Sequence, residues 1–395
     1  MRSVPLLRCC TWYVAMKRKY LSVALVVLGL MGVTMFFVVP PQYYQGPVSD
    51  HFDGKRFYNP GKPAPTSFLD TLRWYATRKR QPWPEFSDLQ TVDIPPRRVD
   101  GNQLRVSFVG HVTLLIQTQG LNILTDPVWS ERVSPFSWIG PKRVHPPGIR
   151  LADLPPIDLV LISHNHYDHL DLATLEQLWQ RHRMRIITPL GNDAIIHERL
   201  PDARIDARDW GQQVMVSPDL TVYLEPMHHW SARSLRDRNQ ALWATFVLAT
   251  PGGKICFVGD SGYGGGDNFR HIAARHGALR LAVLPIGSYE PRWFMAYNHM
   301  NPAEALQAWV DLGRPPLLPV HYDGTFQLAD NGYEMPLADL ARELQTANIV
   351  NAPICSLKTG QHWWVEEDGA RVTAATCRHD KPWQPDVPGN PVSVQ

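Results

Sequence analysis

Cysteine is scarce, with five among 395 residues. Cys9 and Cys10 precede the one long apolar run, and Cys256, Cys355 and Cys377 are scattered, so no disulfide framework is read from their spacing. Each is expected to be a lone core or surface thiol. Charge is sparse too, at 19% of residues, and a net charge of +2 lacks the clustered basic excess of a nucleic-acid-binding protein. No G-x-S-x-G nucleophile elbow occurs. Gly264-Gly265-Gly266 lacks the Lys-Ser/Thr partners of a phosphate loop and is read as a flexible turn. No internal period suggests repeats. What remains is a chain with 44% hydrophobic residues, enough for a real core, and with 16 His, several of them in one short stretch.

Residues 20–39 (YLSVALVVLGLMGVTMFFVV) carry no charge and match the roughly 20 residues that cross a bilayer core. Lys17, Arg18 and Lys19 precede them, with Arg2 and Arg8 further back, and nothing basic follows until Lys55. The positive-inside rule then puts a basic tail (1–19) in the cytoplasm and the rest of the chain on the far side of one transmembrane helix (20–39). In a bacterium that far side is the periplasmic face of the inner membrane. A cleaved signal peptide is the rival reading, but the apolar run is long for one and no A-x-A precedes Pro40. Residues 40–100, rich in Pro, Gly and aromatics, read as a linker and N-terminal extension. One helix is expected near Ser67 to Arg78, where Leu69, Leu72, Trp74 and Tyr75 form an apolar face for packing or for lying near the bilayer.

From Leu104 short apolar runs alternate with turn residues: LRVSFVG, TLLIQT, LNILTDP and IDLVLIS, then RIITPL, LTVYLEP, WATFVLAT, KICFVGD, LRLAVLPIG and LLPVH. They predict strands. DLATLEQLWQRH predicts a helix, as does the segment opened by Asn301, Pro302 and Glu304, a capping-box variant. A further helix is expected at about Leu337 to Thr346. Two sheets covered by helices follow from this order, in a domain spanning 101–365, with a polar, Pro-rich and weakly ordered tail at 366–395.

The chemistry concentrates in Ser163-His164-Asn165-His166-Tyr167-Asp168-His169, directly after a buried run. Zinc accepts neutral imidazole and carboxylate. His164 and His166 can face one cation, and Asp168 and His169 a second about 3.5–4 Å away, the spacing of a two-metal hydrolytic site. Four such side chains within six residues are hard to reconcile with packing, because His and Asp are costly to bury unpaired. His229, Asp260 and His321 end apolar runs in the same manner and are the candidate partners. Asp126 and His111 are left open: Asp126 either orients a ligand His or caps a turn.

With those residues in view, the chain resembles the metallo-β-lactamase superfamily, and within it the N-acyl-phosphatidylethanolamine-hydrolysing phospholipase D family. The stretches that carry the resemblance are FYNP (57–60), GHVTLLIQ (110–117), LTDPVWSERVSP (124–135), GPKR (140–143), SHNHYDHLD (163–171), His229-Trp230, Leu242-Trp243, GDSGY (259–263), PIGSYEPRWFM (285–295) and HYDGTF (321–326). The resemblance implies an αββα sandwich and two Zn2+ per chain. One zinc would be held by His164, His166 and His229, the other by Asp168, His169 and His321, with Asp260 bridging. His229 is chosen over His228 because it directly precedes Trp230, as the family's ligand does. Asp168, Asp260 and His299 would serve catalysis. Tyr289, Glu290, Arg292, Asn298 and His299 would face substrate.

The reaction implied is attack of a metal-bridging hydroxide on N-acyl-phosphatidylethanolamine, releasing N-acylethanolamine and phosphatidic acid. The expected partners are the phospholipid substrate and the membrane, with a homodimer left open. Two other readings stand beside it: a two-metal hydrolase of a small phosphorylated or lactone substrate, and a membrane-bound regulatory module without turnover. The complete ligand set argues against the second.

Overall fold

The computed structural model describes residues 42–61, 67–88, 92–323 and 325–367. The basic tail 1–19, the proposed transmembrane run 20–39 and nearly all of the tail 366–395 lie outside the described residues. Among the described residues no helix is long and apolar enough to cross a membrane.

The helices start where the capping chemistry says they should. Ser67 and Asp70 form a reciprocal capping box at α1 (Phe68–Thr77). Asp171 accepts from the backbone N–H groups of Ala173 and Thr174 to open α2 (Leu172–His182), and α3 is Asn192–Arg199. The remaining helices are α4 (Asp267–His276), α5 (Arg292–Met295), α6 (Pro302–Asp311) and α7 (Met335–Thr346). Asn301 and Glu304 build the capping box of α6, with Pro302 at its first turn, as predicted.

One sheet runs β13 (His362–Val365), β1 (Leu104–Gly110), β2 (Thr113–Thr118), β3 (Leu121–Thr125), β4 (Leu159–Leu161), β5 (Arg185–Pro189), β6 (Ile205–Arg208). The other runs β12 (Leu317–Val320), β11 (Leu281–Pro285), β10 (Gly253–Phe257), β9 (Thr245–Thr250), β8 (Leu220–Glu225), β7 (Gln213–Ser217). Every residue of β1, β2 and β4 is buried, which requires cover on both faces. One core joins the two sheets and continues to α4 and α6 through Phe269, Ile272, Leu306 and Trp309. A second lies under α2 and α3, where Leu175, Leu178, Ile195 and Ile196 meet Leu115, Val160 and Ile186. The result is the αββα sandwich expected from the sequence. Strands β6, β7 and β13 and helices α3, α4 and α5 were not anticipated.

Strand direction decides where chemistry can gather. β3 and β4 are parallel, and so are β10, β11 and β12. β8 is antiparallel to β9, which is antiparallel to β10, so β8 points the same way as β10. The carboxyl ends of β3, β4, β8, β10 and β12 therefore open onto one edge of the sandwich.

The extension at 42–100 is less of a linker than its composition suggests. Phe52 and Phe57 are buried against Trp243, and the Asn59 amide donates to the His229 carbonyl at 2.9 Å. Arg105 of β1 pairs with Asp93 at 2.6 Å, both buried. Of the expected apolar face of α1, only Trp74 packs; Leu69, Leu72 and Tyr75 are exposed. Cysteine also departs from expectation. Cys256 is a buried free thiol, but Cys355 is disulfide-bonded.

Candidate metal centre

Seven side chains expected as ligands meet at that open edge. His164, His166, Asp168 and His169 follow β4. His229 follows β8, Asp260 follows β10 and His321 follows β12. Four groups of nitrogen and oxygen atoms are close enough to share an ion; two of them are His164, His166 and His229, and Asp168, His169 and His321 joined by His111. Asp260 lies within reach of both, sharing one group with His164 and His169, while its Oδ2 stands 3.3 Å from His321 Nε2.

The nitrogens that face inward are poor partners for one another. His164 Nε2 and His229 Nε2 lie 2.8 Å and 3.3 Å from His166 Nδ1. Asp260 Oδ1 and His321 Nε2 are buried without a hydrogen-bond partner. Leaving such atoms buried without a partner is costly, whereas a cation at the centre would satisfy them, so the donor set fits divalent ions.

Three of the outward nitrogens, by contrast, are held, while His166 Nε2 and His321 Nδ1 are buried without a hydrogen-bond partner. His164 Nδ1 is 3.0 Å from Ser163 Oγ, His229 Nδ1 donates to the Asn298 carbonyl at 2.9 Å, and His169 Nδ1 donates to Asp126 at 2.7 Å. A proton fixed on the outer nitrogen leaves the inner lone pair for a metal. Asp126 follows β3, whose end is in register with β4, and it also accepts from Ser163 N–H and Oγ–H. It orients a site histidine; the turn-cap alternative does not describe what its carboxylate touches. His111, in the turn between β1 and β2, places Nε2 2.8 Å from Asp168 Oδ2 and its ring 4.1 Å from that of His321.

Charge follows burial and neighbours. Burial pushes the imidazoles of His164, His166, His229 and His299 down, the last three to about 3, so they are neutral at physiological pH. Burial also works against charge on His169 and His321, but Asp260 and Asp168 overcome it and lift His321 to about 9. Burial would raise the carboxyls of Asp168 and Asp260; the facing imidazoles hold both well below the usual range.

Two glycines let the sheets close on the site. A Cβ on Gly259 would sit 2.7 Å from the Ser163 Cβ, and Gly259 has φ +71. A Cβ on Gly287 would sit 1.8 Å from the His321 carbonyl oxygen.

The expected substrate residues divide. His299 reaches the cluster: Nδ1 is buried, unpartnered and 3.8 Å from Asp260 Oδ2. Asn298 contributes through its carbonyl on His229. Tyr289 does not reach it; it is buried and its hydroxyl donates to Asp339 of α7. Glu290 accepts from the Arg292 backbone, in a turn before α5. Arg292 spends its guanidinium on Glu304 and on the His299 carbonyl, so it positions the His299 backbone and offers substrate little. These three sit beside the site in sequence, and their side chains are committed elsewhere. Arg233 was not anticipated: it is nearly buried and donates to the carbonyls of Asn165 and Leu170, bracing the ligand loop. A backbone-directed arginine leaves no sequence pattern. Asp323 was missed as well; it accepts from the backbone N–H of His111.

Comparison with known proteins agrees with this geometry. The model of the beta-lactamase superfamily domain matches residues 121–322. The chain belongs to that superfamily, and it is a metal-dependent hydrolase. It is 41% identical over 259 residues to an uncharacterized protein of Mycobacterium tuberculosis, covering 65% of this chain and 68% of that one. It is 29% identical over 336 residues to N-acyl-phosphatidylethanolamine-hydrolyzing phospholipase D 1 of Caenorhabditis elegans, covering 79% of this chain and 93% of the relative. Among solved structures, a metallo hydrolase from Ignicoccus hospitalis matches with TM-score 0.50 at 20% identity, over 67% of this chain and 99% of that one, a likeness of fold.

Proposed function

We propose that the chain is a membrane-tethered, zinc-dependent phosphodiesterase that splits N-acyl-phosphatidylethanolamine into N-acylethanolamine and phosphatidic acid. The observation that carries it is the complete seven-residue cluster on a chain similar to the C. elegans phospholipase D over 93% of that relative's length. His164, His166 and His229 would hold one ion, and Asp168, His169 and His321 the other, with Asp260 between them. Two such ions acidify a water and neutralise charge on phosphoryl oxygens.

The rest falls to the protein. Asp126, Ser163 and the Asn298 carbonyl keep three imidazoles in the orientation that presents an inner lone pair. His299, whose Nδ1 is buried, unpartnered and 3.8 Å from Asp260 Oδ2, would accept or pass on a proton during the reaction. Arg292 and Glu304 hold the His299 backbone in place. The disulfide at Cys355 supports a catalytic domain outside the cytoplasm, because such bonds persist in oxidising compartments. With the basic residues ahead of 20–39, it favours a cytoplasmic N-terminus and a periplasmic domain.

The test is metal content of the purified full chain, paired with release of N-acylethanolamine before and after chelation. About two zinc ions per chain and chelator-sensitive release are expected, with Asp168→Asn and His169→Ala losing both the second ion and nearly all turnover. Two ions with no release would remove the substrate and leave the small-substrate hydrolase; full turnover in either variant would remove the two-ion site.

A further inference from the structure

An imidazole holds an ion tightly only where its surroundings fix both its ring and its backbone. The His229 ring is fixed by the Asn298 carbonyl at 2.9 Å. Its backbone is fixed from the N-terminal extension. The Asn59 amide nitrogen donates to the His229 carbonyl at 2.9 Å and to the Tyr297 hydroxyl at 2.9 Å. The Asn59 side-chain oxygen accepts from Trp243 Nε1 at 3.2 Å. The amide cannot be turned over: an indole N–H only donates and a carbonyl only accepts, so the oxygen belongs toward Trp243 and the nitrogen toward His229. Tyr297 directly precedes Asn298. One buried side chain therefore ties the His229 backbone to the segment that orients the His229 ring and carries His299.

The strap that delivers Asn59 is itself anchored. Phe52 and Phe57 lie with ring centroids 4.5 Å apart and are buried with Met227, Leu242 and Trp243. His51 stacks on Trp210 at 4.4 Å, and its Nε2 is 2.8 Å from Asp209 Oδ1. The Phe57 N–H donates to the Asn239 carbonyl at 2.8 Å. A second leg of the strap reaches the ligand loop less directly. Tyr43 donates to Asp237, which accepts from the Arg233 backbone, and Arg233 donates to the carbonyls of Asn165 and Leu170. That leg braces the loop as a whole, whereas Asn59 meets His229 alone among the seven cluster residues.

We propose that Asn59 is a positioning residue of the metal centre: it fixes His229, and through it the ion that His164, His166 and His229 would hold, so the segment ahead of the sandwich completes that half of the site. This rests on the reading of the cluster as a two-ion centre, and its test does not depend on turnover.

Asn59→Leu keeps the volume and removes the donor, while Trp243 Nε1 retains its bond to the Met227 carbonyl at 2.8 Å. Asn59→Ala removes the donor with a smaller side chain. Tyr297→Phe is the control, because it deletes the other acceptor of the same amide and leaves the bond to His229. The full chain and each variant are loaded with zinc and dialysed against graded chelator, and bound zinc and urea stability are measured. Both Asn59 variants are expected to give up one of two ions at roughly tenfold lower chelator than wild type, the low end of the range for outer partners of ligands. Tyr297→Phe is expected to keep both ions at wild-type chelator while losing stability in urea. In an Asp168→Asn background, where only the ion of the three imidazoles is expected, Asn59→Ala should leave none at chelator concentrations at which the parent keeps it. Wild-type retention in both Asn59 variants would overturn the proposal. So would loss of both ions in step, or equal loss in Tyr297→Phe, since general loosening of the fold does the same. Fewer than two ions on the wild-type chain would remove the two-ion reading, and this inference with it; that failure shows in the wild type, and the others only in the variants.

Discussion

Asp126→Asn is the sharpest perturbation of the centre, because it changes one atom of a residue that lies outside the seven-residue set. The Asp126 carboxylate is fully buried and accepts three hydrogen bonds: from Ser163 N–H at 2.7 Å, from Ser163 Oγ–H at 2.6 Å and from His169 Nδ1–H at 2.7 Å. An asparagine can keep an acceptor toward only one side. With its amide nitrogen toward His169, two donors face each other unless the imidazole proton moves to Nε2, and that nitrogen is the one aimed at the cluster. With the nitrogen toward Ser163 N–H, the clash falls on the loop backbone. Losing one charge-assisted bond and stranding one buried donor together costs about 2–5 kcal/mol. Loss of an orienting carboxylate lowers metal affinity by roughly 10- to 100-fold. The loss should fall first on the ion that Asp168, His169 and His321 would hold, since Asp126 meets His169 directly, reaches His164 only through the Ser163 hydroxyl and does not touch the outer partner of His229. Dialysis of wild type and variant against graded chelator, followed by metal analysis, reads this directly. A variant that keeps both ions at the chelator concentrations tolerated by wild type would refute the claim that Asp126 sets the His169 proton.

Three further outcomes are expected. Gly287→Ala pushes a methyl group against the His321 carbonyl, so urea denaturation should show a loss of about 3 kcal/mol, with weaker retention of the second ion; unchanged stability would mean that the sheet relaxes freely there. Burial would raise the Asp93 carboxyl, but hydrogen bonds from His362, Arg105 and Ser107 and the Arg105 charge hold it down to about 2. A depressed carboxyl contributes stability above its unfolded pKa near 4 and loses it as pH falls through about 2. The advantage of wild type over Asp93→Asn, about 2 kcal/mol at neutral pH, should therefore shrink between pH 4 and about 2 in denaturation series. Cys256 is fully buried and burial pushes its thiol up, so the folded chain should resist alkylation there while the unfolded chain reacts; rapid native labelling at Cys256 would contradict the packing of β10.

The metal centre was legible from sequence where its information is local. His164, His166, Asp168 and His169 stand in one loop, and His229, Asp260 and His321 each end an apolar run, so strand ends alone suggest a common edge. Asp126 stayed open because its role depends on the register of β3 beside β4, a pairing across more than thirty residues of chain. Tyr289 is expected at the substrate only from the resemblance, which places its segment beside the site; the turn at 288–291 directs its phenol to Asp339, and a side-chain direction set by a turn leaves no mark in a motif. Arg233 and Asn59 brace the site through backbone carbonyls, which any residue type supplies, so no partner residue marks them in the sequence. The apolar face of α1 was visible as a pattern, but a pattern does not say whether a face is packed or bare.

The division of ligands between the sheets bears on how the site works. His164, His166, Asp168 and His169 belong to the first sheet, and His229, Asp260 and His321 to the second. Each ion would thus draw donors from both, so its geometry is set by how closely the sheets approach at this edge. Gly259 beside Ser163 fixes that approach between the sheets, and Gly287 beside His321 fixes it within the second. A ligand set split in this way resists distortion by substrate, because moving one ligand relative to another means sliding one packed sheet past the other. Helix α1 and the turn at 136–139 contribute no ligand and stand outside that frame, so they can move without disturbing the atoms of the cluster.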